Sequence, residues 1–171
     1  RAADLLELSG VVPASALEHR IDVAHDVAGF GLCAVLAAAS GIASLPDRAL
    51  LGFALVTQVM LCALISVAAP WAAFVRTAHL PGQTWVVSVI ILFALLVPVR
   101  PATSLLVSTV CALAMPGGIL ALDLAGRIEA DAADYWSAGV AGLIGLGIAA
   151  GASRPLYRAR RPEAAARGGG G

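Results

Sequence analysis

The sequence predicts an all-α fold, a polytopic integral membrane helical bundle of about five transmembrane helices preceded by an amphipathic helix. Of the 171 residues, 60% are hydrophobic and 13% are charged, and the mean hydropathy is +0.89. Soluble domains carry about 25% charged residues, so this composition excludes an ordinary soluble domain. Five long stretches hold no Asp, Glu or Arg, and each is close to the ~20 residues that cross a bilayer.

Residues 1–26 precede these stretches and form a juxtamembrane segment. Apolar residues recur at helical spacing from Leu17 through Ile21 and Ala24 to Ala28, with the charged residues off that stripe. We expect an amphipathic helix that lies on the membrane surface and continues into the first span. A separate short helix is expected over Arg1–Gly10.

The five uncharged stretches are expected to form a transmembrane domain of residues 27–153. The second is longer than a bilayer requires, so Pro70 and Trp71 are expected to mark its exit from the membrane. The Pro81-Gly82 turn signal shortens the third to about Thr84–Val99. The stretches are Val27–Pro46, Ala49–Val75, Thr77–Val99, Pro101–Leu122 and Tyr135–Ser153.

The fourth stretch contains Pro116-Gly117-Gly118. Proline removes one backbone hydrogen bond of a helix, and the glycines loosen the same turn. We therefore expect a kink or a break in this helix. An accommodated kink is the favoured interpretation, and a broken helix at a transport site is the alternative.

The distribution of arginine predicts the orientation. The chain has no Lys, and five of its eleven Arg residues fall in the basic linker formed by residues 154–171. Cytoplasmic segments are enriched in positive charge, so we expect a multi-pass protein of the bacterial inner membrane with a cytoplasmic C-terminus. Anionic lipid headgroups are the expected partners of Arg154, Arg158, Arg160 and Arg161. A zero net charge argues against a nucleic-acid partner.

Four aromatic residues support the span count. Trp and Tyr favour membrane interfaces. With five spans, Trp71, Trp85, Tyr135 and Trp136 all fall at the outer interface.

The fifth stretch is rich in glycine, and Gly147 and Gly151 form a GxxxG pair. Small residues let transmembrane helices approach closely. Packing within the bundle is the favoured interpretation of this pair, and a homodimer through Gly147 and Gly151 is the alternative.

A search for chemistry finds no catalytic, cofactor or metal site. No HExxH, GxSxG or Walker-type motif occurs, so the chain is not expected to be an enzyme by itself. His19, Asp22 and Asp26, with His25 nearby, are interpreted as a solvated helix face rather than a metal site. Glu129, Asp131 and Asp134 are interpreted as a solvated acidic loop. Cys33, Cys62 and Cys111 are expected to be small buried hydrophobic residues.

Short segments of the chain resemble the membrane-spanning domains attached to some bacterial serine/threonine protein kinases, and related regions of bacterial nucleotide cyclases. The resemblance covers roughly Leu50–Arg161. It rests on Leu51–Val56, Gln83–Val87, Leu95–Pro98, Arg100-Pro101, Ala114–Pro116 and Ser153–Arg158.

This resemblance implies an integral membrane sensor or anchor domain of a bacterial signalling protein. No kinase catalytic loop or DFG motif is present, so a kinase-like output domain would lie beyond residue 171. The start at Arg1 and the terminal glycines are interpreted as the ends of a fragment. A small transporter or permease fragment and a structural membrane subunit are the alternatives.

Overall fold

The structure is a computed structural model that describes residues 14–42, 45–80, 85–97 and 99–168. Within these ranges, side chains are not described for residues 14, 15, 18, 154 and 156–168. The expected helix Arg1–Gly10 lies outside the described residues. The described chain is entirely helical, without a strand. Its helices are α1 (Ala14–Ser40), α2 (Asp47–Thr77), α3 (Trp85–Leu96), α4 (Pro101–Leu124) and α5 (Ala132–Gly168).

Helix α1 joins the juxtamembrane segment to the first apolar stretch without interruption, which confirms their expected continuity. The apolar stripe of this helix is buried only in part. Ile21 is buried, whereas Ala24 and Ala28 are exposed. The helix ends at Ser40, six residues before the predicted end of the span. Pro46 instead occupies the N-cap of α2 in an extended conformation.

Helix α2 continues through Pro70 and ends only at Thr77. Asp47 in its first turn and Arg76 in its last turn both complement the helix dipole. Ala78 then adopts a left-handed conformation (φ 53°), and its N–H donates to the Phe74 carbonyl at 2.8 Å. Leaving the bilayer at Pro70 therefore does not require the helix to end there.

Helix α3 has 12 residues and is shorter than the predicted Thr84–Val99 span. The other four helices are long and apolar enough to cross a membrane, over His19–Ser40, Asp47–Thr77, Pro101–Leu124 and Ala132–Ser153. These dimensions identify the class as a helical membrane protein with four candidate spans and one short apolar helix.

Helix α2 lies at the centre, in contact with α1, α3 and α4, while α5 packs on α3 and α4. The exterior is strongly apolar: Phe30, Trp85, Leu124 and Trp136 are each more than 70% exposed. Several polar side chains of these helices are instead buried, which suits a bundle surrounded by lipid: Thr57, Gln58, Ser66, Ser104, Ser108 and Ser153. The core consists of Cys62, Ile65, Val86, Ile90, Ala94, Val107, Cys111, Met115, Ile119, Leu122, Ile128, Ala138 and Ala149.

Candidate functional site

A line of polar and thiol side chains is buried along the contact between α2 and α4. Residues 58, 62 and 66 of α2 recur every four positions, and residues 104, 108 and 111 of α4 lie on one face at helical spacing. All six side chains are at most 6% exposed. We call this set the α2–α4 seam: Gln58, Cys62 and Ser66 of α2 with Ser104, Ser108 and Cys111 of α4.

Two contacts fix the register of the seam. The thiols of Cys62 and Cys111 are close enough to interact as donor and acceptor. Ser66 lies against Gly118. The paired residue numbers differ by 49 and 52, and both numbers rise together, so α2 and α4 run parallel. In the sequence these residues are scattered over two separate apolar stretches, and their alignment depends on this register.

Gly118 is at the closest approach of the two helices. A Cβ at this position would be 2.7 Å from the Ser66 carbonyl carbon and 3.0 Å from Ser66 Cβ, and closest of all to the Ser66 carbonyl oxygen. Pro70 explains why that oxygen is directed at a neighbour, because a proline at position 70 cannot donate to the carbonyl four residues earlier. The small Gly118 leaves space for this oxygen.

The same arrangement recurs between α4 and α5. Pro116 lies inside α4 without breaking it, so the alternative of a broken helix is wrong, and the favoured interpretation of a proline accommodated within the helix agrees with the structure. The proline deprives the Ala112 carbonyl of its intrahelical donor, and that oxygen would lie 3.1 Å from a Cβ at Gly142. In both contacts, a carbonyl released by proline faces a glycine of the next helix, where weak Cα–H···O contacts are favoured.

Ser66 has a second unusual feature. Its Oγ is the buried side-chain oxygen without a hydrogen-bond partner among the residues described. Hydroxyl groups in apolar helices usually donate to a carbonyl of the preceding turn. Thr109 does so to the Leu105 carbonyl, and Ser153 to the Ala150 carbonyl. An unsatisfied buried hydroxyl costs about 1–3 kcal/mol.

Hydrogen bonds order the connection between α4 and α5. Gly126 (φ 65°) ends α4 in a Schellman motif, in which the Arg127 N–H donates to the Leu122 carbonyl at 2.9 Å. Asp123 then accepts from the Tyr135 hydroxyl at 3.2 Å and from the Ala130 N–H at 3.4 Å. These bonds join the end of α4 to the start of α5.

The acidic residues of this connection have a structural role. Asp131 accepts from the Asp134 N–H, and Asp134 accepts from the Asp131 N–H, both at 3.0 Å. This reciprocal pair is a capping box at the start of α5. Arg127 also lies over the ring of Trp71, 5.6 Å from its centroid, and so connects this loop to α2.

Two acidic residues on α1, Asp22 and Asp26, lie close to charged or titratable side chains. Asp22 pairs with Arg76 of α2 at 3.6 Å, and His25 Nδ1 lies 3.3 Å from its neighbour Asp26. His19 is exposed. No group of three His, Cys, Asp or Glu residues that could hold a metal occurs in the described parts of the chain.

An open apolar groove separates α1 from α3, with α2 as its floor. Its volume is about 620 Å³. Phe30 and Leu36 of α1, Leu61 of α2 and Phe93 of α3 contribute to its wall. Cys33 also lines the groove and is exposed, so the expectation of burial is wrong for Cys33 and confirmed for Cys62 and Cys111.

Four glycines of α5 divide into two groups. Gly142 and Gly145 pack against α4 and α3, whereas Gly147 and Gly151 are exposed, with open space where a Cβ would lie. Packing of the GxxxG pair within the bundle, the favoured interpretation from sequence, is therefore wrong. The arginine side chains 154, 158, 160 and 161 lie outside the described part of the structure, although α5 itself continues to Gly168.

Comparison with known proteins gives no relative: no family model, curated protein or solved structure matches this chain. The similarity to kinase and cyclase membrane regions therefore stays a prediction.

Proposed function

We propose that the chain is the membrane anchor and sensor domain of a bacterial signalling protein, with a kinase-like output domain beyond residue 171. One observation carries this proposal: α5 is a single helix of 37 residues, Ala132–Gly168. Its candidate span ends at Ser153. The remaining 15 residues extend it by about 22 Å, a suitable length for passing a rotation or displacement to a following domain.

In the proposed arrangement, α3 also crosses the membrane, which gives five spans. The five arginines after Ser153 then place the C-terminus in the cytoplasm. Anionic headgroups would bind Arg154, Arg158, Arg160 and Arg161, each contributing about 1 kcal/mol near the surface. Lipid chains would cover the apolar exterior and the groove between α1 and α3.

We also propose a homodimer through Gly147 and Gly151. Both glycines face outward and leave room for close approach of a second helix. Leu143, Ile144 and Ile148, exposed on the same helix, offer apolar contacts beside them. Dimerisation there would bring two copies of the extended α5 together next to the output domains.

The transporter alternative depends on the buried α2–α4 seam. Solute passage along the seam would require α2 and α4 to separate, because the contact between Gly118 and Ser66 leaves no space. The structural-subunit alternative predicts that the chain folds only with a partner protein. The extended α5 favours the anchor and sensor role over both.

Reporter fusions test the topology in cells. Alkaline phosphatase should be inactive after Gly171 and active when inserted at Gly126, whereas a fluorescent protein should show the reverse pattern. Recovery of the intact chain in the soluble fraction would contradict membrane anchoring. An active phosphatase after Gly171 would contradict the orientation.

Alanine insertions in the full-length protein test signalling through α5. Each residue added between Ala159 and Arg160 rotates the following helix by about 100° and shifts it by about 1.5 Å. ATP-dependent autophosphorylation should change most with two added residues and return with seven, which nearly restore the helical phase. Equal activity for all insertions would refute transmission by a rigid helix, and absent phosphorylation would refute the kinase output.

A further inference from the structure

The groove between α1 and α3 is charged at one end and apolar along most of its length. Both helices pack on α2, which forms the floor. His25 and Asp26 line one end, and Ser40 lines the other. At 1.5 Å per residue, Asp26 and Ser40 lie about 21 Å apart along α1. Half of the hydrocarbon core is about 15 Å thick, so the groove is long enough for the acyl chain of a lipid.

Small residues on α1 create the space in the groove. Gly29, Cys33 and Ala37 recur every four positions, and all three line it. A Cβ at Gly29 would meet no atom within 4 Å, so the wall is recessed there. The groove volume of about 620 Å³ lies within the range of about 300–1,000 Å³ that is typical of sites for small ligands.

The charged end offers a carboxylate to a cation. Asp26 is the one acidic residue among the described residues that line the groove. Its side chain is 72% exposed, and the His25 Nδ1 atom lies 3.3 Å from its carboxylate. Asp22, one turn before Asp26 on α1, is paired with Arg76 of α2 at 3.6 Å. Helix α3 contains no charged residue, so it adds no charge to this end.

We propose that the groove binds one phospholipid whose headgroup carries a primary ammonium group. The acyl chain lies along the apolar wall of α1, and the ammonium group donates to the Asp26 carboxylate, a charge-assisted hydrogen bond. The phosphate lies toward the Arg76 guanidinium, one turn farther along α1.

Charge and shape together favour this occupant. An anionic headgroup without an amine would bring only negative charge to Asp26. A polar solute would leave the apolar length of the groove unused. A transmembrane helix of a second copy would fill that length but supply no cation to the carboxylate at its end.

This inference goes beyond the proposed function, which assigns lipid to the apolar surface without selecting a headgroup. It does not depend on signalling, because a chain without an output domain would bind the same lipid. The bound lipid would connect α1 with α3 across the floor formed by α2.

Native mass spectrometry of the purified chain in detergent tests the choice of headgroup. Phosphatidylethanolamine, phosphatidylcholine and phosphatidylglycerol with identical acyl chains are added separately. One phosphatidylethanolamine should bind per chain, about 10-fold more tightly than either other lipid, because only its headgroup donates N–H bonds to a carboxylate. Equal affinity for the three lipids would overturn the proposal.

Variants separate the headgroup contact from the groove. Asp26→Asn should abolish the preference for phosphatidylethanolamine, whereas Asp47→Asn removes the same charge at the start of α2, outside the groove, and should preserve it. Gly29→Leu should fill the groove and release the lipid. Gly31→Leu is the matched control, since Gly31 also has open space but does not line the groove. An unchanged preference in Asp26→Asn, or equal binding by Gly29→Leu and Gly31→Leu, would overturn the proposal.

Cys33 reports occupancy of the groove without a substitution. Its thiol is exposed in the groove, whereas Cys62 and Cys111 are buried. N-ethylmaleimide should therefore add one label per chain. At equal lipid concentration, phosphatidylethanolamine should slow this reaction about 10-fold more than phosphatidylglycerol does.

Two outcomes of the labelling would contradict lipid binding. Equal rates with the two lipids would overturn the selection of an ammonium headgroup. Protection of Cys33 that rises with protein concentration and ignores lipid would place a second copy of the chain in the groove, and would also overturn the proposal.

Discussion

Replacing Gly118 with alanine should weaken the packing of α2 against α4. The added methyl group would overlap the Ser66 backbone, with the carbonyl carbon at 2.7 Å. Backbone atoms of a helix cannot rotate aside as a flexible side chain can, so the two helices must move apart. Overpacking of this kind costs about 1–3 kcal/mol.

The neighbouring Gly117→Ala is the matched control, since nothing lies within 4 Å of a Cβ at that position. Both substitutions gain about 1 kcal/mol of helix propensity, so this contribution cancels between them. Gly118→Ala should therefore be about 1–3 kcal/mol less stable than Gly117→Ala, which is about a 5- to 150-fold difference in the unfolding equilibrium.

Reversible unfolding in mixed micelles with increasing dodecyl sulfate, followed by circular dichroism, measures this difference. Adding Ser66→Gly to Gly118→Ala should not restore stability fully, because the carbonyl of residue 66 remains in place. Unfolding free energies of Gly117→Ala and Gly118→Ala that agree within about 0.5 kcal/mol would refute the close contact.

Three further predictions use the same unfolding assay. Ser66→Ala should stabilise the chain by about 1–3 kcal/mol by removing an unsatisfied hydroxyl, and a loss of stability would reveal a partner for Ser66 Oγ. Asp123→Ala should cost about 1–2 kcal/mol and accelerate hydrogen exchange at the Ala130 amide, because Asp123 accepts from that amide and from Tyr135; unchanged exchange would contradict this bond. Gly142→Val should cost about 1–3 kcal/mol more than Gly139→Val, which has open space, and equal costs would contradict the contact of α4 with α5.

Composition and uncharged stretches predicted the helical class because burial in lipid demands apolar length, which is visible in one dimension. The positions of helix ends were less accessible. The first span was predicted to reach Pro46, but α1 ends at Ser40, and Pro46 is the N-cap of α2. Gly126, which ends α4, follows the last apolar residues and was a usable signal.

Contacts between helices could not be predicted from the sequence, since they depend on register. Cys62 and Cys111 are 49 positions apart, and no spacing rule pairs them. Pro116 indicated a kink or a break because proline removes a hydrogen bond. The helix nevertheless continues, with the released Ala112 carbonyl lying against Gly142, and only the packed structure shows this compensation.

The short α3 has a consequence for the surrounding lipid. Its 12 residues measure about 18 Å, whereas the hydrocarbon core is about 30 Å thick. In the five-span arrangement, the bilayer next to α3 must thin, or flanking residues must enter it. Hydrophobic mismatch of this kind costs a fraction of a kcal/mol per Å. Membranes with shorter acyl chains would relieve that strain, so bilayer thickness becomes a physical variable to which α3, and α5 packed upon it, respond.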